Sequence, residues 1–423
     1  MERDLRARGT GCVTRNRPPL LGLAGLAGAL FLAGCHSPST AIPPEPPPTA
    51  AVMLPPVAAN LAPSLPASNP PLSSRLPPGA NAEFPSARPA PSPRPPTAAA
   101  SPRVVATVPV PGQRISNVDY VDAAAFFARY GLRTTAAAGD LRFTLAGGGN
   151  RLELVANDRD MAINGLRVFL GEPALVRGRA ILVSRTDAER LLGPILAPSG
   201  IASPAPPVPR IIVLDPGHGG QDSGAVNTNL GVFEKTFALD VALLLKPLLE
   251  AKGWQIVLTR ADDRFIPLPQ RPVMANSAHA DLFISIHFNT VPGDTRTTGT
   301  EIYTFPPQFE RSTRSWSSGE KDDSDAQPDP SNRFDAWNVV FANALHRALL
   351  AKLGTFDRGQ KIAHWAVLKG LNCPGVLIES AFLSNDAEAR KVATPAFRQQ
   401  IAESIANGVE AYAAQLAGLS KSK

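Results

Sequence analysis

The chain has 423 residues, a formal charge of +6 and 44 prolines, about twice the usual share, and that length has room for two or more domains. Five arginines against two acids within the first 34 residues account for half of the net charge. No basic run carries interleaved aromatics, so nucleic acid is excluded as a partner; three cysteines (Cys12, Cys35, Cys373) without CxxC spacing exclude a disulfide framework.

Residues 1–34 read as a signal peptide. An Arg-bearing start precedes the apolar run Leu20 to Ala33, which is too short and too rich in Gly and Ala to span a bilayer. Its end, Leu32-Ala33-Gly34-Cys35, resembles the lipobox of bacterial lipoproteins; an ordinary secretory signal cleaved near Ala33 is the plainer reading. The resemblance implies that Cys35 becomes the lipidated first residue, anchored by acyl chains at about 0.8 kcal/mol per buried CH₂. His36 stands where an Asp often retains lipoproteins on the inner membrane, which implies a periplasmic protein on the outer one. Residues 35–112 form a Pro/Ala-rich linker that cannot bury enough surface to offset chain entropy. Extended at ~3.1 Å per residue, it reaches on the order of 200 Å.

Residues 113–197 read as a small α+β module. Tyr120 to Tyr130 is a short amphipathic helix stopped by Gly131, followed by strands at Leu141–Leu145, Leu152–Ala156, Met161–Ile163, Val168–Phe169 and Ile181–Val183. Gly147 to Gly149 and Asn164-Gly165 supply hairpin turns. Met161 to Val168 and Arg179 to Ser184 resemble the small N-terminal domain of copper amine oxidases, which recurs in envelope proteins without copper. That implies a binding or positioning module, with a spacer as the alternative. Residues 198–209 are a second Pro-rich joint.

The domain at 210–418 begins with Ile211 to Leu214, a buried strand ending in Asp215-Pro216. The Gly-rich turn after it sets His218 at the strand's C-terminal rim, where side chains of an open α/β sheet meet ligand. Neither GxGxxG nor GKS/T is present, which disfavours a phosphate cradle. Glu234 opens an amphipathic helix (Phe233 to Lys252) in which Pro247 predicts a kink; the helix dipole alone could favour its carboxylate there. A strand at Gln255–Thr259 and a helix at Arg271 to Ala280 come next. The buried strand Asp281–Ile286 then delivers His287. Two rim histidines and a carboxylate are a candidate His₂Glu metal set. Glu301–Thr304 is a strand, and the polar insert from Pro306 to about Arg333 is expected as a flexible loop near the cleft. Asp335 to Leu353 and Ala396 to Ala417 read as helices. Val376–Ile378 is a strand ending in Glu379, whose buried carboxylate needs a cation: a metal with an intervening water, or Arg358. His279 and His346 read as solvated, and His364 as lining the cleft.

DPGHGG at Asp215–Gly220, Glu234, Thr259-Arg260, SIHFN at Ser285–Asn289, DRG at Asp357–Gly359, VLK at Val367–Lys369 and LIESAFLSN at Leu377–Asn385 resemble the zinc-dependent N-acetylmuramoyl-L-alanine amidases of bacterial cell walls. The resemblance covers about residues 210–416. It implies an α/β fold, a mixed sheet flanked by helices as in zinc exopeptidases. It also implies one Zn²⁺ held by His218, Glu234 and His287, with Glu379 as catalytic acid/base. Asp215 would orient His218 or serve the turn, with Asn289 and Arg358 as further supporting residues. The implied substrate is peptidoglycan, cut between N-acetylmuramic acid and L-alanine. The insert has no apolar stripe and does not resemble the autoinhibitory helix of regulated amidases, and any protein activator stays unnamed. Two other functions fit the same residues: a zinc peptidase acting on stem peptides, and an inactive wall-binding lipoprotein.

Overall fold

Apolar runs that end at polar residues become the centre of a mixed sheet. The structure, a computed structural model, describes residues 110–138, 141–201, 206–313 and 323–421, all within one unit, Pro91–Lys423. The signal segment, Cys35 and most of the linker lie outside the described residues, as do residues 314–322 of the insert. No helix among the described residues is long and apolar enough to cross a membrane.

The N-terminal part contributes β1 (Gly112–Ile115), β2 (Val118–Asp122), α1 (Ala123–Phe127), β3 (Arg133–Ala138), β4 (Arg142–Gly147), β5 (Asn150–Val155), β6 (Asp160–Ile163), β7 (Leu166–Phe169), β8 (Leu175–Arg177), β9 (Ala180–Ser184) and α2 (Gly193–Leu196). The C-terminal part contributes β10 (Ile211–Pro216), β11 (Val226–Asn227), β12 (Val232–Phe233), α3 (Glu234–Glu250), β13 (Gln255–Leu258), α4 (Gln270–Ser277), β14 (Leu282–Asn289), β15 (Thr300–Thr304), α5 (Asp335–Leu353), β16 (Asp357–Ile362), β17 (Gly375–Phe382), α6 (Asp386–Ala393) and α7 (Pro395–Lys421).

Strands from both parts share one 11-stranded sheet, ordered β13-β10-β14-β17-β15-β16-β7-β6-β5-β4-β3. β13, β10, β14 and β17 run parallel, and β15 pairs antiparallel to β17. β16 is parallel to both β15 and β7, after which the sheet becomes an antiparallel meander. β10, β14 and β17 are buried on both faces, which explains their nearly unbroken apolar runs. On one face α3, α5 and α7 close a core that includes Leu214, Ile284, Ile378, Leu345 and Leu349. On the other, Val213, Phe283 and Leu377 pack with Val367 and Leu371. The N-terminal strands bury Leu145, Leu152, Ile163 and Val168 in their own core, which Val339 of α5 joins.

Several elements differ from the sequence reading. Residues 120–122 are strand, because Tyr120 and Val121 are buried against β9; the helix is only Ala123–Phe127 with a 3₁₀ turn to Tyr130, closed by Gly131 at φ +76°. α3 continues as helix through Pro247, which sits in its last turn, where little helix remains for the ring to disrupt. His346 is fully buried rather than solvated: its Nε2 lies 2.7 Å from Asp357, and α5 is apolar on more than one side. The described residues of the insert are not at the rim that carries His287. Glu301 lies opposite Glu379 and Tyr303 opposite Leu377, so the chain leaves β15 at the other end of the sheet. There Thr313 N–H bonds the Ile362 carbonyl, and Gly370 N–H donates to Asp329.

Candidate metal centre and active site

Three side chains meet at the C-terminal rim of β10 and β14. His218 sits on the turn after β10, at φ +62°, a backbone state uncommon outside glycine. Glu234 is the first residue of α3, and His287 lies near the end of β14. Their ligand atoms all lie within 4.8 Å of one another. His218 Nε2 is 3.0 Å from Glu234 Oε2, and His287 Nδ1 is 2.9 Å from Glu234 Oε1. Glu234 also accepts the backbone N–H groups of Ala225 and Phe288 at 2.7 and 3.0 Å. Burial alone would push its carboxyl up, but hydrogen bonds from His218 and His287 outweigh that and hold it well below the usual carboxylate range. Burial likewise works against a charged His218, yet Glu234 and Asp222 raise its pKa overall.

Missing side chains shape this cradle as much as present ones. A Cβ at Gly217 would stand 2.3 Å from the His287 ring, and one at Gly224 would stand 2.5 Å from both Glu234 Oε2 and His218 Cδ2. Two buried polar atoms, His287 Nε2 and Glu379 Oε2, have no hydrogen-bond partner among the described residues. Two imidazoles, one carboxylate and orphaned polar atoms beside them fit a divalent ion of zinc type.

Glu379 stands beside His287 across the β14–β17 pair and opposite Glu301 across β15–β17. It is 7% exposed, and burial, with Glu234 and Glu301 nearby, pushes its pKa well up. Arg358 does not pair with it. Arg358 Nε instead donates to Glu301 at 3.2 Å, joined there by Lys361 Nζ at 2.6 Å, Asn289 Nδ2 at 2.6 Å and the Tyr303 hydroxyl at 2.6 Å. Asn289 and Arg358 therefore serve Glu301, an acid the sequence reading did not single out.

Asp215 does not reach His218 either. It accepts from Thr259 Oγ1 at 2.6 Å, Arg271 Nη1 at 2.8 Å and Ser285 Oγ at 2.8 Å, tying neighbouring elements below the rim. The residue that orients His218 is Asp222, whose Oδ2 lies 2.8 Å from Nδ1 while Oδ1 accepts the Gly224 N–H. Two arginines, each 1% exposed, grip the Gly-rich turn by its carbonyls. Arg260 donates to the Pro216 and Gly217 oxygens, Arg271 to those of Pro216 and His218.

A mixed sheet with a His₂Glu cradle and a buried acid alongside defines a zinc-amidase type of centre. The chain belongs to the N-acetylmuramoyl-L-alanine amidase family, whose profile matches residues 212–411. It is similar to the N-acetylmuramoyl-L-alanine amidase AmiA of Escherichia coli K12, 32% identical over 221 residues that cover 48% of this chain and 76% of AmiA. It is also similar to AmiC of Escherichia coli O6:H1, at 35% identity over 231 residues, 50% of this chain and 55% of AmiC. AmiC of Neisseria meningitidis gives 34% identity over 48% of this chain and 52% of that protein. The chain thus spans about half the length of these two AmiC relatives. Among solved structures, the catalytic domain of the amidase CwlV from Bacillus (Paenibacillus) polymyxa aligns at 31% identity and TM-score 0.40, covering 48% of this chain and 97% of that domain.

Proposed function

We propose that this chain is a zinc-dependent cell-wall hydrolase cutting the amide bond between N-acetylmuramic acid and L-alanine in peptidoglycan. The convergence of His218, Glu234 and His287 beside the buried carboxyl of Glu379 carries the reading. Zinc, when bound there, polarises the amide carbonyl and brings the pKa of a coordinated water toward ~7. Asp222 accepts the Nδ1 proton of His218 and so leaves the Nε2 lone pair facing the cradle. Glu379 takes a proton from the attacking water and passes it to the departing L-alanine nitrogen as the C–N bond breaks and a C–O bond forms.

The same reading places the enzyme outside the cytoplasm. Lipidation at Cys35 would hold it on the outer membrane in the periplasm, with the Pro-rich segment as a tether to the wall and residues 113–197 positioning the catalytic part. Digesting purified sacculi with and without chelator, with products identified by mass, tests the bond. Metal-dependent release of stem peptides bearing a free L-alanine amine is expected. Free D-amino acids would support a zinc peptidase instead, and no release in saturating zinc would support an inactive wall-binding protein. Labelling with radioactive palmitate, lost in Cys35→Ala, tests the anchor.

A further inference from the structure

The strand register carries the catalytic face into the N-terminal part of the chain. His287 pairs with Glu379, Glu379 with Glu301, and Glu301 with Gly359. Gln360 pairs with Val168 in parallel, which sets Arg167 beside Gly359 and Phe169 beside Lys361. Arg167 then pairs with Ala162, Ala162 with Glu153, and Glu153 with Thr144. Directly paired residues point to the same face of a sheet, so one lateral row joins a metal ligand to β4.

The join is built, not incidental. Arg167 N–H donates to Asp357 Oδ2 at 2.8 Å, and Lys361 Nζ sits 5.2 Å from the centre of the Phe169 ring. A Cβ on Gly359 would stand 2.8 Å from that ring, so the glycine lets β7 close onto β16. Beyond the join lies a shallow groove of about 450 Å³ lined by Arg142, Thr144, Glu153, Asp160, Ala162 and Arg167. With strands spaced about 4.8 Å, the row runs about 14 Å from β17 to β7 and about 29 Å to β4.

Resting on the amidase reading, we infer that this face is a second part of the substrate site and seats the glycan strand attached to the scissile bond. The charge balance selects that occupant. In the groove Arg142 and Arg167 face Glu153, Asp158 and Asp160, and on the row leading to it Arg358 and Lys361 neutralise the buried Glu301, so four cations meet four anions, with Arg167 bonded to Asp160 and Lys361 to Glu301. A face with interleaved donors and acceptors and no net charge suits an uncharged, hydroxyl-rich chain better than an anionic peptide. Continuity with Glu379 gives the direction in which that chain leaves the cleft.

The test uses the full zinc-loaded chain and substrates with one stem peptide on glycans of increasing length. KM should fall as the glycan lengthens, with kcat unchanged. In Arg167→Ala, KM for the long substrates should rise about tenfold, as for loss of a charge-assisted hydrogen bond, and the single-disaccharide substrate should be unaffected. Peptide-free glycan strands should inhibit competitively, more strongly with length in the wild type than in the variant. Glu153→Ala, on an exposed side chain, repeats the test without touching the join. Length-independent KM, or equal effects on short and long substrates, overturns the inference. So does Arg167-dependent competition by free stem peptide, which would give the face to the peptide. Failure of every substrate to be cleaved would instead refute the amidase reading itself.

Discussion

Asp222 offers the sharpest test of how the metal cradle works. Its Oδ2 lies 2.8 Å from His218 Nδ1, and its Oδ1 holds the Gly224 N–H at 3.0 Å. Asp222→Asn can keep the second bond and so preserve the turn. It presents an amide N–H to Nδ1, however, which drives the imidazole proton onto Nε2, the atom 3.0 Å from Glu234. That atom then cannot ligate a cation. Outer partners of metal-bound histidines are worth about 10- to 100-fold in affinity, and the asparagine should lose the upper figure because it enforces the wrong tautomer. Asp222→Ala, which leaves the ring free to choose, should lose about tenfold. Competition against a chromophoric zinc chelator measures both constants. A 100-fold loss also removes about 2.7 kcal/mol of zinc-linked stabilisation at zinc concentrations far above either constant, readable as a smaller zinc-induced rise in Tm. Wild-type affinity in Asp222→Asn, with the fold intact, would refute the assigned geometry of His218.

Glu379→Ala should bind zinc and sacculi yet release stem peptides about 10²- to 10⁴-fold more slowly, measured by product mass under single-turnover conditions. Gly224→Ala should abolish tight zinc binding in the same chelator assay, since the new Cβ meets Glu234 and His218 at 2.5 Å and the φ of +64° strains any side chain there. Burial, with Asp187 and Glu172 close by, pushes the Glu310 carboxyl up to about 8 from an ordinary 4.5. The folded chain therefore holds a proton that the unfolded chain releases; this contribution to stability is full below pH ~4.5 and is lost as pH rises to ~8. Urea unfolding across that window should show the fall, and Glu310→Gln should flatten it.

The three residues of the metal cradle were legible because each is a polar residue where an apolar run ends or a helix begins, a pattern that survives without coordinates. Asp222 was not. One aspartate in a Gly-rich turn carries no periodic signal, and its partner is fixed by a turn conformation that composition does not reveal. Glu301 was hidden for another reason: it lies within a strand, and the cations that neutralise it arrive about sixty residues later on β16. Hairpins such as β6–β7 showed through Asn164-Gly165, whose φ values of +52° and +80° match a tight two-residue turn. The β7–β16 join had no such marker, because it pairs strands far apart in the chain. His346 looked like a helix-surface residue until Asp357 was seen to reach it from the neighbouring strand.

The two guanidinium groups under the Gly-rich turn have a consequence for how the enzyme would meet scarcity. Arg260 and Arg271 fasten three successive carbonyls of the turn, those of Pro216, Gly217 and His218. The receptacle is therefore assembled by the protein's own framework, and capturing the ion costs little additional ordering. On the amidase reading, such a framework would keep the chain folded when zinc runs short and let it regain activity on the ion's return without refolding.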